Sequence, residues 1–349
     1  VSILLTLGEA GSRIPVPLGL LRRAADAGCV VLLAHDVVDH RPPPHLAWTV
    51  GYKTTARFEA DLTWLLRRYR FVGYDDVEAS LAGARKLPAN AALLTFDDGY
   101  AELHSIAWPI LRRLGVPALV FLTTSALDNV ALTADCRLSL CVHEFVRLAR
   151  ADQRSTIAAL GLPDFAARPA PELGRELCGY LRSHDGATQA LWQRLALDEE
   201  AYLREVRPYL TTEQVRELAA HGWSVGGHGV VHRHLQGLSR DELEGEIVES
   251  CAAASRLSGR ARAPFAFPYS GQGVRRDWLA EIRARHGHVG LFFDVHGIRR
   301  EGSLVWHRVD IERPNESIAT TVRRAHLGAL LPPRVYESVV VAHARDHEN

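Results

Sequence analysis

The chain has 349 residues, of which 47% are hydrophobic and 23% charged, a balance that supports a sizeable buried core and excludes a disordered chain. Lys plus Arg and Asp plus Glu each total 41, so no overall field recruits nucleic acid or an anionic membrane, and a neutral or weakly charged ligand fits better. One α/β barrel commonly runs to about 250 residues, so the length predicts a single barrel carrying an insertion.

Residues 1–29 form an N-terminal extension. Its apolar run Ile3-Leu4-Leu5 is short, lacks a basic start and soon meets Gly8 and Glu9, unlike a secretory leader. No stretch is apolar enough to span a bilayer. The chain starts with Val and contains no Met, which leaves a trimmed leader open. The five cysteines, Cys29, Cys136, Cys141, Cys178 and Cys251, are odd in number and lack CxxC spacing, so they propose no disulfide framework and no thiolate metal site. A reducing, cytoplasmic setting is the expectation.

The first barrel portion, 30–128, opens with the strand-like run Val30-Val31-Leu32-Leu33, which leads into Ala34-His35-Asp36. A lone His at a strand end is structural or catalytic, and local sequence does not choose. From Arg57 to Arg70, Phe58, Leu62, Leu65 and Tyr69 recur at helical spacing and build one apolar face. Ala92-Leu93-Leu94 is a second strand, running into Thr95-Phe96-Asp97-Asp98-Gly99-Tyr100. Adjacent carboxylates on a strand point to opposite faces, so Asp97 and Asp98 serve one site only if the backbone curls, which Gly99 permits; otherwise the triplet is an ordinary polar turn.

The stretch 129–206 is rich in Ala, Leu, Arg and Glu and has few strand signals, which predicts a helical insertion: a surface subdomain, or a substrate lid or oligomer contact. The second barrel portion, 207–325, shows capping boxes at Thr211 with Gln214 and at Ser239 with Glu242, and Gly222 and Gly259 close the corresponding helices. After Ser239, Leu243, Ile247 and Cys251 recur every four residues, the stripe of a helix packed on a sheet. Between these helices, Trp223-Ser224-Val225 leads into Gly226-Gly227-His228-Gly229-Val230-Val231-His232, with His234 nearby. Two imidazoles four residues apart reach one side of a helical or turn-like segment, and together with one Asp they suit a divalent cation with coordination positions left open. Phe265-Ala266-Phe267 ends at Pro268-Tyr269-Ser270-Gly271, either an aromatic core strand with its turn or a turn that aims an amide or the Tyr ring at a ligand. Residues 326–349 form a C-terminal segment. Alternation of strands with helices implies an α/β fold with a parallel sheet or barrel.

Taken together, Thr95 to Gly99 (TFDDG), His228-x-x-x-His232 and the strand-end pattern resemble the polysaccharide deacetylase family, also called NodB-like or carbohydrate esterases, from about Val30 to Ile311 apart from the insertion. The resemblance implies a distorted (β/α) barrel and a metal-dependent hydrolase that removes N-acetyl groups from an amino-sugar glycan or glycoside. It implies Asp97 as catalytic base, Asp98, His228 and His232 as ligands to a divalent metal (Zn2+ first, Co2+ or Ni2+ as alternatives), and Pro268 and Tyr269 beside the oxyanion. Where the family's histidine motif has Ser or Thr, this chain has Gly229, so the hydroxyl that normally braces the loop is absent. The stretch from Tyr209 through Leu235 is similar to the branch of poly-N-acetylglucosamine deacetylases, in which the motif order is permuted. Leu32-Leu33-Ala34-His35 would then supply the general acid, His35. Arg262 sits too far upstream of Pro268 to match the family's arginine, and Arg308, in Trp306-His307-Arg308-Val309-Asp310, is the residue that could orient Asp97 instead. The family's Asp-x-x-Asp-Trp motif is missing, with Phe292-Phe293-Asp294 a partial substitute. Two other readings stand beside this one: a metal-assisted hydrolase of non-sugar amides or cyclic imides on the same scaffold, and a catalytically weakened carbohydrate-binding homologue. The implied partner is an N-acetylated sugar, with no nucleic acid and no membrane span.

Overall fold

A computed structural model describes residues 17–24, 28–165, 168–313 and 316–331. Most of the N-terminal extension and of the C-terminal segment therefore lies outside the described residues. The strands are β1 (Cys29–Ala34), β2 (Asp36–Val38), β3 (Tyr52–Thr54), β4 (Arg70–Phe71), β5 (Ala91–Phe96), β6 (Ala118–Leu122), β7 (Ser224–Gly227), β8 (Ala263–Ala266), β9 (Val289–Asp294), β10 (Arg300–Glu301) and β11 (Val305–Asp310). Seven of them, β1, β5, β6, β7, β8, β9 and β11, pair in parallel around a closed ring surrounded by helices. Closure is made by β1, which pairs with β5 on one side (Leu33 opposite Thr95) and with β11 on the other (Val31 opposite Arg308).

The four apolar runs read from the sequence are all barrel strands, because a parallel strand covered on both faces can be apolar at nearly every position. Side chains still alternate along each strand. Cys29, Val31, Leu93, Phe121, Phe293 and Trp306 form one buried cluster. Their strand neighbours Val30, Leu32, Leu94, Val120, Phe292 and Val305 belong to another, shared with the surrounding helices. The first set fills the barrel and the second seats the helices on it. Helix Tyr74–Leu81 plugs the end where the strands begin: Tyr74 joins the interior cluster, and its hydroxyl donates to Glu78 and accepts from the N–H of Leu291.

Both expected capping boxes form, at Thr211 with Gln214 and at Ser239 with Glu242, and Gly259 caps the second helix in the left-handed conformation. Gly222 falls one residue beyond the His221 cap of the first. The helix expected from Arg57 to Arg70 spans Thr55–Leu66 and buries Phe58, Leu62 and Leu65, while Tyr69 lies past its end. Between β6 and β7 the chain runs through helices Ala134–Arg147, Arg150–Leu160, Ala170–Ser183, Ala187–Arg194 and Glu199–Val206. The first four enclose an apolar cluster of their own, with Phe145, Leu173, Leu177 and Leu191 at its centre. All five cysteines are buried and free. Among the described residues no helix is long and apolar enough to cross a membrane.

Gly226 marks where the barrel interior tolerates no side chain: a Cβ there would lie 2.5 Å from the Phe121 ring and 2.6 Å from the backbone oxygen of Pro264. Gly226→Ala is expected to destabilise the fold by ~1–3 kcal/mol, the usual cost of overpacking, read as a lowered midpoint in urea unfolding at unchanged slope.

Candidate active site

The site is built where the strands end. Inward parity on β1 runs through Cys29, Val31 and Leu33 to His35, on β5 through Leu93 and Thr95 to Asp97, on β7 through Gly226 to His228, and on β11 from Trp306 to Arg308. Backbone pairing continues one residue past two of these strands, since Asp97 N–H donates to Ala34 O at 3.1 Å and His228 N–H donates to Leu122 O at 2.9 Å. The period of two therefore aims these side chains at the barrel mouth.

Asp98 cannot join them by parity. It reaches the same side because Asp98 itself turns left-handed (φ 69°), followed by Gly99 (φ 82°), so the curl expected at the glycine is shared by two residues. His232 (φ 54°) and Tyr269 (φ 58°) take the same conformation. Three non-glycine residues in this sparsely populated region, all at one site, are backbone strain held by the surrounding structure.

Asp98, His228 and His232 offer ligand atoms that lie within 4.8 Å of one another. Asp98 Oδ1 is 3.2 Å from His232 Nε2 and 3.5 Å from His228 Nε2, and this buried oxygen has no hydrogen-bond partner. His228 Nδ1 donates to Ala266 O at 2.9 Å, which leaves its Nε2 lone pair facing the carboxylate. Burial lowers the His228 pKa to about 4, whereas at His232 burial is outweighed by Asp98 and Asp135, which raise its pKa to about 10, so a cation here would replace the proton that His232 shares with Asp98. An orphaned carboxylate oxygen opposite a neutral imidazole, with its tautomer fixed from behind, fits a divalent cation.

Asp97 lies beside this group, its Oδ2 3.6 Å from His228 Nε2. Arg308, fully buried, grips it with two bonds, Nη1 to Oδ1 at 2.6 Å and Nη2 to Oδ2 at 2.8 Å. Burial alone would raise the Asp97 pKa, but the Arg308 charge overrides it and holds the carboxyl below its ordinary value. Arg262, in contrast, is exposed and donates to Gly287 O at 3.1 Å, away from the mouth. His35 Nδ1 lies 2.6 Å from Glu312 Oε2, while the backbone N–H of His35 donates to Oε1 at 2.8 Å. Burial opposes a charge on His35, yet Glu312 outweighs it and, with Asp98 and Asp97, lifts the pKa to about 10.

Pro268 and Tyr269 follow β8 in a tight turn, with Ser270 N–H donating to Pro268 O at 2.7 Å. The Tyr269 ring stacks on His234 at 3.9 Å, and its hydroxyl donates to Asp135 at 2.5 Å. With the ring so engaged, the group left free is the backbone N–H, which meets no acceptor among the described residues. His234 is thus a stacking partner outside the three residues that could hold a cation. Asp294 braces this turn from beneath, its Oδ1 accepting from the N–H groups of Gly271 and Val295 at 3.0 and 2.8 Å.

The sequence profile of the polysaccharide deacetylase family matches residues 84–161 and 165–288, more than half of the chain. The chain belongs to that family. Its fold is similar to that of Streptococcus pyogenes deacetylase PplD, solved in complex with acetate, at 18% identity and a TM-score of 0.53 over 87% of this chain and 98% of that one. IcaB from Ammonifex degensii superimposes at 18% identity and TM-score 0.51 over 86% and 97% of the two chains. A de-N-acetylase from Aggregatibacter actinomycetemcomitans does so at 17% identity and TM-score 0.52 over 84% and 99%. Bacillus subtilis (strain 168) YxkH is 29% identical over 73 residues, which are 21% of this chain and 26% of that protein, so only about a quarter of the curated relative is spanned. His35 and Arg308 lie outside the profile-matched residues of this family member.

Three carboxylates at the site escaped the sequence reading. Glu312 stands four residues beyond Arg308 with the same strand parity, a signal that was legible. Glu246 sits on the buried face of helix Arg240–Ser258, among Leu243, Ile247 and Ser250, where a carboxylate is itself a signal. It accepts from the N–H of Val230 at 2.6 Å and from Arg233 Nε at 2.9 Å. The histidine loop around Gly229 is therefore held by a carboxylate reaching in from a helix. Asp135, from helix Ala134–Arg147, had no local signal.

Removing one partner of a buried ion pair leaves the other charge uncompensated. Arg308→Met is expected to destabilise the protein by about 3–5 kcal/mol at neutral pH, measured by chemical denaturation, with part of the loss recovered at acid pH as Asp97 becomes protonated.

Proposed function

We propose that the chain is a metal-dependent deacetylase that hydrolyses the N-acetyl amide of an amino-sugar glycan or glycoside. The observation that carries this reading is the clustering of Asp98, His228 and His232 ligand atoms within 4.8 Å at the barrel mouth, flanked by Asp97. Those three residues would hold the cation, with zinc the first candidate and cobalt or nickel the alternatives. When bound, the cation supplies Lewis-acid polarisation of the acyl oxygen and acidifies water at the site.

The chain's own residues account for the proton movements. Asp97, kept ionised by Arg308, accepts a proton from the attacking water, and the bidentate grip fixes which carboxylate lone pairs face the site. Attack on the acyl carbon places negative charge on its oxygen, toward which the Tyr269 N–H can donate. Pro268, with no N–H of its own, adds no competing donor to this turn. His35, held protonated by Glu312, delivers a proton to the departing nitrogen as the C–N bond breaks. Acetate and a free amine result, and water supplies the atoms that balance the products.

Acetate release from N-acetylglucosamine oligomers should stop on dialysis against a chelator and return with zinc or cobalt. Asp97→Asn should lose activity by about 10²–10⁴-fold while still binding metal. Full turnover without metal, or opening of cyclic imides with no acetate released from any N-acetylated sugar, would remove this reading.

The acid role of His35 is filled below its raised pKa of about 10 and lost as pH rises through it. Glu312→Gln removes the carboxylate that raises it, so the basic limb of the kcat/KM profile should move to lower pH, and His35→Ala should abolish that limb.

A further inference from the structure

We propose that Asp135 is a positioning residue that ties together the two strained loops of the site, one carrying His232 and the other carrying Tyr269. The inference rests on the metal-binding reading above. Asp135 lies in the first turn of helix Ala134–Arg147, within the stretch between β6 and β7 and so outside the barrel strands. Its backbone is firmly placed: Thr133 caps the helix by accepting from Cys136 N–H at 3.3 Å, and Thr133 N–H donates to Tyr209 Oη at 3.0 Å. From there one carboxylate oxygen, Asp135 Oδ2, serves both loops, accepting from Tyr269 Oη at 2.5 Å and lying 3.3 Å from His232 Nδ1.

The two ligand histidines are held from behind in different ways. His228 Nδ1 is fixed by a backbone carbonyl of β8. His232 Nδ1 is buried and makes no hydrogen bond, and the acceptor nearest to it is Asp135, at ion-pair distance. An imidazole that offers Nε2 to a cation carries its proton on Nδ1, and a carboxylate behind it fixes both the tautomer and the ring plane. The His232 and Tyr269 rings also touch, with centroids 4.8 Å apart. Both residues have positive φ (54° and 58°), a conformation that persists only where neighbours over-determine it. A single carboxylate joining the two therefore couples the orientation of a ligand to the position of the Tyr269 N–H.

The test uses the whole chain, stripped with a chelator and titrated with zinc by calorimetry. Asp135→Ala should weaken zinc binding about 100-fold and Asp135→Asn, which keeps a neutral acceptor behind His232, about 10-fold, the range found for groups behind metal ligands. Asp135→Asn, which can still accept from Tyr269 Oη, should leave the melting temperature of the stripped protein close to the parent's, whereas Asp135→Ala, which strands that hydroxyl, should lower it. Tyr269→Phe should bind zinc as the parent does but lower kcat, because it frees one loop only. In the cobalt-loaded protein, the visible absorption bands should change in both Asp135 variants and stay unchanged in Tyr269→Phe. Parent-like zinc affinity in Asp135→Ala and Asp135→Asn would overturn the inference, and Asp135→Asn decides alone if the alanine variant does not fold. Absence of zinc binding by the parent chain would instead count against the metal-binding reading itself.

Discussion

The structure turns on the closing strand of the barrel. β1 lies between β5 and β11, so the first strand of the ring meets strands roughly 60 and 275 residues away and brings His35, just past β1, and Asp97, just past β5, beside Arg308 on β11. A guanidinium inside an apolar barrel is tolerable only if a carboxylate meets it with good geometry, and Asp97 does so through two parallel bonds. That pair sits at the level where the apolar filling ends and the polar mouth begins. It both satisfies the interior and presents an ionised carboxylate upward.

Around it the site is a set of charges, each held by a second one. Arg308 holds Asp97, Glu312 holds His35, Glu246 holds the backbone of the histidine loop, and Asp135 stands behind His232. Such backing is needed because burial penalises every one of these charges, and because Asp98, His232 and Tyr269 all adopt backbone conformations that a free chain avoids. The Gly229 position illustrates the economy of the arrangement. A Cβ there would come within 3.0 Å of Glu246 Oε2, so the glycine makes room for the carboxylate that holds the loop.

Membership of the polysaccharide deacetylase family and the barrel fold follow from the profile match and the strand topology. The chemistry rests on geometry at the mouth. The helices between β6 and β7 enter this chemistry through Asp135, and they also carry an apolar core of their own, so their stability and their reach into the site are separate properties of one segment.

Strand runs, capping boxes and the TFDDG and His-x-x-x-His segments were legible in the sequence because each is a local pattern: a period of two, a period near four, or a short motif whose chemistry needs neighbouring residues. Once the strands are placed, parity along them aims His35, Asp97, His228 and Arg308 at one space. What the sequence by itself could not decide was which distant groups complete them. Glu312, Glu246 and Asp135 reach the site from a strand end, a helix face and the first turn of a helix, and their pairing with His35, the 229–233 loop and His232 spans 277, about 15 and about 97 residues. Strand parity at Glu312 and a carboxylate on the buried helix face at Glu246 were legible signals, but only tertiary packing, set by how helices seat on the barrel, decides which partner each one meets. The direction of Asp98 was likewise a tertiary decision: strand alternation sends it away from Asp97, and a left-handed turn, held by the packed mouth, brings it back.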